Sequence, residues 1–481
     1  MKKLIPWFLV ATLFLILAYL ASRSEAPLDD SVRFVDIDRY LTRQAMAQDI
    51  DTLVHTFERI HPYPYRFVEK HRLRSRVDST KAHLPDSMTT MHFWRLIDQL
   101  LIGYNDAHSK VEDRYVLADY VKKNRYFFPF SATVSRDKIR ISTHDTLEYP
   151  LVNGTEIVKI NGKTSEQLLR DLVTHATRET PALKRLEISD DFGFYLWKTY
   201  DWGPDFTIHY RTKEDSDLDS IVVHGIPWAH RKRSENPDTV AYTFTFLTNR
   251  IGLMKISDFN GDEGEVLEFY RQSFQSMADR NCANLLLDFR GHSGGADSYG
   301  EHLAKYISMV PYRKLSKAYW KITPEFKEAF DRTFVPIGLR WFTPIYLVNE
   351  YSRVFYGADP NELVTVNYEL KTPLPEEERF AGQVYLITNH RTFSAGSIFA
   401  EMFKYYNMGT IVGQPTGNLT SFTGFALANF TLPNSTLSFQ VSSVYNVANS
   451  REEGLKTVEP DIHVDAADDP LAHVIENYIR Y

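Results

Sequence analysis

A single cysteine, Cys282, stands among 481 residues, so no disulfide can close within this chain. No cysteine adjoins the apolar N-terminal run, so no lipid can be attached there. An exported protein of this size without disulfides fits a bacterial envelope better than a eukaryotic secretory route. Basic residues are not in excess. The 55 Lys and Arg face 62 Asp and Glu, a net charge of −7 that excludes nucleic acid as the main partner. No long repeat is visible. The 16 histidines are scattered without metal-ligand spacing, so neither a metal nor an organic cofactor is expected.

The composition is globular, with 43% hydrophobic and 24% charged residues. The length is too great for one ordinary core. Lys2 and Lys3 precede an uncharged run from Leu4 to Ala21, followed by Arg23, Glu25, Asp29 and Asp30. This polarity predicts an N-terminus in the cytoplasm and the remainder outside. Residues 1–24 fit either a cleaved signal peptide or an uncleaved anchor, and both export the rest to the cell envelope. Sequons at Asn153, Asn418, Asn429 and Asn434 matter only in a host that glycosylates; otherwise they are turn and strand chemistry.

Residues 25–115 read as a helical domain. Ile50, Leu53, Val54, Phe57 and Ile60 fall at helical spacing before His61-Pro62, and a second helix is predicted over Thr89 to Ile102. Residues 116–240 read as a β-rich module. A strand, the Asn161-Gly162 turn and a helix opened by Ser165 resemble a PDZ-like, peptide-capturing unit. Residues 241–481 alternate strands and helices. Leu285-Leu286-Leu287 and Val384-Tyr385-Leu386-Ile387 predict buried parallel strands of βα units. The proline-rich stretch from Pro311 to Phe380 reads as an insertion and a candidate lid.

Two loops carry the chemistry. Ser394 falls where the second βα unit turns from strand to helix, facing free N–H groups and the positive end of the helix dipole. On local sequence alone the residue reads as an N-cap, a common role for serine. The loop Asp288-Phe289-Arg290-Gly291-His292-Ser293-Gly294-Gly295 follows the first βα strand, and its glycines permit close backbone approach to a ligand.

Together these segments resemble the tail-specific (C-terminal-processing) protease family. The first loop is similar to that family's D-L-R-x-N-x-G-G segment, and Phe393-Ser394-Ala395-Gly396-Ser397-Ile398-Phe399-Ala400 to its S-A-S-E-I-F-A segment. Further matches are Ile411-Val412-Gly413, Leu432-Pro433-Asn434 and Val458-Glu459-Pro460-Asp461-Ile462. The resemblance implies a crotonase-like α/β catalytic core with Ser394 as nucleophile and N–H groups near Gly294, Gly295 and Ala395 as the oxyanion hole. Ser397 stands where the family usually has Glu.

One branch of the family pairs its serine with a lysine about 25 residues downstream, but Gly417 to Phe422 contains none. The other branch, like the tricorn protease core, takes a histidine from a D-x-H-S/T loop far upstream. Asp106-Ala107-His108-Ser109 matches it and implies His108 as the base, with His61, His292 and His390 as rivals. A glutamate before V-x-P-D, Glu453 or its neighbour Glu452, is the implied third member. The expected activity is serine-type hydrolysis of exported peptides or proteins. The alternative is an inactive binding protein on the same scaffold, as in the interphotoreceptor retinoid-binding proteins.

Overall fold

The computed structural model describes residues 35–135, 138–144, 151–200, 202–213, 216–231, 240–334, 350–425, 429–465 and 468–479. The expected leader or anchor, residues 1–24, lies outside them. No described helix is long and apolar enough to cross a membrane.

Helix α1, Arg43–Ile60, begins where the Thr42 hydroxyl accepts the Ala45 N–H at 3.3 Å. Its buried stripe of Met46, Ile50, Leu53, Val54, Phe57 and Ile60 extends the predicted periodicity by one turn. Helix α2, Thr90–Ile102, is capped by Thr89. The core between them also takes Leu432, Leu437, Phe439 and Val441 from the far end of the chain. Asp49, 0% exposed, accepts the N–H groups of Asn434 at 3.0 Å and Ser435 at 2.7 Å. The helical region and the C-terminal half thus share one core.

Strands β1 (Phe130–Ser135), β2 (Lys138–His144) and β3 (Glu156–Ile160) precede helices α3 (Ser165–Leu172) and α4 (Pro181–Asp190). Strands β4 (Asp205–Arg211) and β5 (Asp219–His224) follow, and the antiparallel sheet runs β5–β4–β3–β2–β1. Asn161 and Gly162 turn at φ 48° and 81°, as a tight hairpin requires. Helix α3 opens at Ser165, and Thr164 caps it in a capping box with Gln167.

The last part begins with β6 (Tyr242–Thr248), β7 (Ile251–Ile256), α5 (Glu263–Asp279), β8 (Asn284–Asp288) and α6 (Asp297–Ile307). It continues with β9 (Lys317–Ile322), β10 (Glu362–Asn367), β11 (Gln383–Thr388), α7 (Ala395–Tyr405) and β12 (Thr410–Gly413). It ends with β13 (Phe422–Gly424), β14 (Ser438–Gln440), β15 (Val444–Val447) and β16 (Ile462–His463) before a terminal helix. The main sheet runs β6–β7–β8–β11–β12–β16, parallel from β7 onward. Apolar side chains cover both faces, and every residue of β8 is buried. This explains a continuous leucine run in place of alternation. Asp288 pairs with Ile387, so β8 and β11 end side by side and their loops emerge together. The described strands of the Pro311–Phe380 stretch are built into a second sheet, β10–β9–β15–β13.

Candidate active site

Ser394 links β11 to α7 at φ 52° and ψ −121°. A non-glycine residue in that region stores about 1–3 kcal/mol of strain and persists only where its surroundings hold it. Ser394 does not cap α7, because its side chain accepts no bond from the first turn. Its backbone N–H donates instead to Asn418 Oδ1 at 2.6 Å. The N–H groups of the next residues double back, Gly396 to Phe393 O at 3.0 Å and Ser397 to Ser394 O at 2.9 Å.

The glycine loop lies against this turn. A Cβ on Gly294 would stand 2.7 Å from Ser394 Cβ and 3.2 Å from its Oγ, so only glycine fits beside the serine. The N–H of Gly294 donates to His292 Nδ1 at 3.1 Å. The N–H groups of Gly295 and Ala395 donate to no acceptor among the described residues. Ala395 opens the helix, where the N–H has no intrahelical partner. Ser397, at the position of the family's Glu, donates to Thr392 O at 2.8 Å. Glu401, one turn further on, accepts the N–H groups of Asn449 at 3.2 Å and Ser450 at 2.9 Å.

His108 comes from nearly the other end of the chain. Its loop is tied to the C-terminal half on both sides. Thr423 Oγ1 donates to Asp106 Oδ1 at 2.6 Å, the Ser442 N–H donates to Ser109 Oγ at 2.9 Å, and Val111 pairs with Phe439 of β14. The imidazole lies between Phe393, 4.7 Å away, and Phe422, 5.2 Å away, stacked on both rings. It therefore contacts the residue immediately before Ser394. Both ring nitrogens are buried and lack a hydrogen-bond partner. Burial pulls its pKa down to about 4; the charge of Asp106 opposes the shift and that of Arg178 adds to it. Burial alone would raise Asp106, but the His61 hydrogen bond and the charges of His61 and His108 hold it well below the usual carboxylate range.

Of the rival histidines, His61 and His390 are paired with carboxylates, while the buried His292 keeps its Nε2 without a partner. His61 Nε2 meets Asp106 Oδ2 at 3.2 Å, and its Nδ1 accepts the Tyr63 N–H at 3.1 Å. His390 Nε2 meets Asp190 Oδ1 at 2.9 Å. His292 holds the Gly294 N–H, and burial pushes it down to about 3. Glu453 is exposed and pairs with Arg66, whose Nη2 donates to its carbonyl at 2.8 Å and reaches its carboxylate at 3.4 Å. No bond joins Glu453 to the His108 ring. Glu452 joins Lys456 at 3.1 Å.

Two groups beside the site were not singled out by their sequence. Asn418, 0% exposed, holds the serine's N–H while its own Nδ2 is buried without a partner. Glu179, 4% exposed, has a buried Oε2 without a partner, and burial followed by the charge of Asp106 pushes its carboxyl up to about 8. Asn105 holds the Glu179 carbonyl at 2.9 Å, and the Arg178 guanidinium lies 4.0 Å over the Phe393 ring. No group of His, Cys, Asp and Glu fit to hold a metal ion occurs among the described residues.

The family model of peptidase family S41 matches residues 250–464, the span from β7 to the end of β16. No curated protein matches the chain. Among solved structures, a mutant of CPAF is similar over 91% of this chain and 99% of its own, at 13% identity and a TM-score of 0.64. Mature CPAF complexed with lactacystin is similar over 87% and 94%, at 14% identity and a TM-score of 0.60. These likenesses extend the shared fold well beyond the family segment. Residues 250–464, the segment that holds Ser394, thus match peptidase family S41, whose tail-specific, serine-type peptidases the chain's motifs resemble.

Proposed function

We propose that the chain cleaves exported peptides or proteins through an acyl-enzyme, with Ser394 as nucleophile and His108 as base. The observation that carries this reading is the His108 ring stacked on Phe393, both nitrogens unpartnered, beside a serine strained at a strand-to-helix turn it does not cap. Ser394 Oγ attacks the scissile carbonyl carbon, its proton passes to His108, and the carbonyl π pair moves onto oxygen. The N–H groups of Gly295 and Ala395 are free to receive that oxyanion. Gly294 supplies the space, since its own N–H is engaged. Collapse breaks the C–N bond, and the amine leaves with the proton from imidazolium. Water repeats the sequence and frees the acid.

In this reading the parallel sheet and its helices form a crotonase-like core, and the β1–β5 unit with α3 is a PDZ-like module. The basic and apolar N-terminal segment places the catalytic part outside the cytoplasmic membrane, in the periplasm or on an anchor. Protease accessibility in intact spheroplasts tests that placement, and full protection until lysis would refute it. The peptidase reading is tested by a fluorophosphonate probe on the full chain. Stoichiometric labelling is expected at Ser394 and should vanish in Ser394→Ala. No labelling at any pH would instead favour the inactive binding protein.

A further inference from the structure

The Asn418 side chain has one end in use and one end idle. Its Oδ1 accepts the Ser394 N–H at 2.6 Å, which fixes the orientation of the amide, because only oxygen can accept there. The other end, Nδ2, is therefore a donor. It is buried, it has no partner, and it belongs to a residue that is 0% exposed. A buried N–H group with nothing to bond is costly, so it calls for an explanation. Segment 416–418 is held firmly. The Gly417 N–H donates to Thr392 O at 2.8 Å, Arg178 Nη1 donates to Gly417 O at 3.1 Å, and the Thr416 N–H donates to Val458 O at 3.1 Å. The idle donor is thus placed by a rigid frame, one covalent angle from an atom already bonded to the nucleophile's own backbone. The Ala395 N–H, next in sequence to the Ser394 group that Oδ1 holds, is likewise without an acceptor among the described residues.

We propose that Asn418 is a catalytic residue: Oδ1 locks the strained serine turn, and Nδ2 donates to the carbonyl oxygen as it becomes an oxyanion. This rests on the peptidase reading and adds a side-chain donor to the two backbone ones. The arrangement gives the transition state a partner that the resting site lacks, so the idle hydrogen bond is made only when charge develops.

Two substitutions separate the two ends. Asn418→Asp keeps an acceptor for the Ser394 N–H and removes the donor; Asn418→Ala removes both. The full chain is assayed on the best-cleaved member of a fluorogenic peptide library, with fluorophosphonate labelling and thermal melting alongside. Wild type should label at Ser394. Asn418→Asp should melt below wild type, because a carboxyl group is buried where an amide was, yet stay folded at the assay temperature and lose roughly 10²–10³-fold in kcat with KM nearly unchanged. Asn418→Ala should lose at least as much. A folded Asn418→Asp with kcat within about threefold of wild type would overturn the donor role. Failure of wild type to label would remove the peptidase reading itself, and this inference with it. Labelling with unchanged kcat in Asn418→Asp removes this inference alone.

Discussion

Gly294→Ala puts the contact between the two catalytic loops under direct test. Gly294 sits at φ 113°, a region that side chains rarely adopt, and the new methyl would stand 2.7 Å from Ser394 Cβ. Relief needs a shift of about 1 Å to reach ordinary carbon–carbon contact. The strain costs about 1–3 kcal/mol, and overpacking adds a similar amount, so a stability loss of about 2–5 kcal/mol is expected. The catalytic effect is larger, because a displacement of about 1 Å at a reacting atom costs on the order of 100-fold in rate. Gly162→Ala is the matched control. It sits at φ 81° with nothing within 4 Å of its Cβ, so it carries the backbone strain without the collision. It should lose about 1 kcal/mol and no activity. Urea denaturation and kcat/KM on a fluorogenic peptide measure both effects. A folded Gly294→Ala enzyme within about threefold of wild-type kcat/KM would refute the proposed apposition.

Three further outcomes follow from groups described above. With His108 as base at about 4, kcat/KM should stay level down to mildly acid pH, then fall as imidazole protonates; His108→Ala should lose the rate and this limb together, as a pH profile of both enzymes will show. Glu179, raised from 4.5 to about 8, holds its proton in the folded state after the unfolded chain has lost it, so its contribution to stability is full below 4.5 and disappears as pH rises through about 8. Glu179→Gln should remove that decline and be more stable than wild type at pH above about 8 by a few kcal/mol, and parallel denaturation curves across this window would contradict it. Asp49→Ala leaves the N–H groups of half-buried Asn434 and buried Ser435 without their acceptor and should cost about 2–3 kcal/mol by urea titration.

The elements that were legible in the sequence are those whose signal is local. The stripe of α1, the leucine run of β8 and the Asn161-Gly162 turn each follow from periodicity or turn chemistry within a dozen residues. Ser394 was legible as a strand-to-helix junction. Its backbone angles decide between cap and strained turn, and these depend on Gly294 and Asn418, 100 and 24 residues away. Asn418 read only as a sequon and as part of a stretch lacking a lysine, because nothing nearby reveals that its amide meets the serine's N–H. Glu179 lies in an unremarkable loop, and its significance comes from burial beside Asp106. Glu453 meets Arg66, 387 residues upstream, a contact that no local pattern announces.

The shared core of the first helices and residues Leu432 to Val441 also sets when this chain can act. During synthesis the N-terminal part emerges first, carrying His108, but its core lacks the side chains that complete it. Those arrive only after Ser394 has itself been made, so the base loop gains its anchoring strand β14 last. A chain stalled or cut before that strand holds both Ser394 and His108 without the strand that anchors the His108 loop. On the proposed reading assembly is a timer: an incomplete molecule would be catalytically silent, and activity would appear only when almost the whole polypeptide is present and folded.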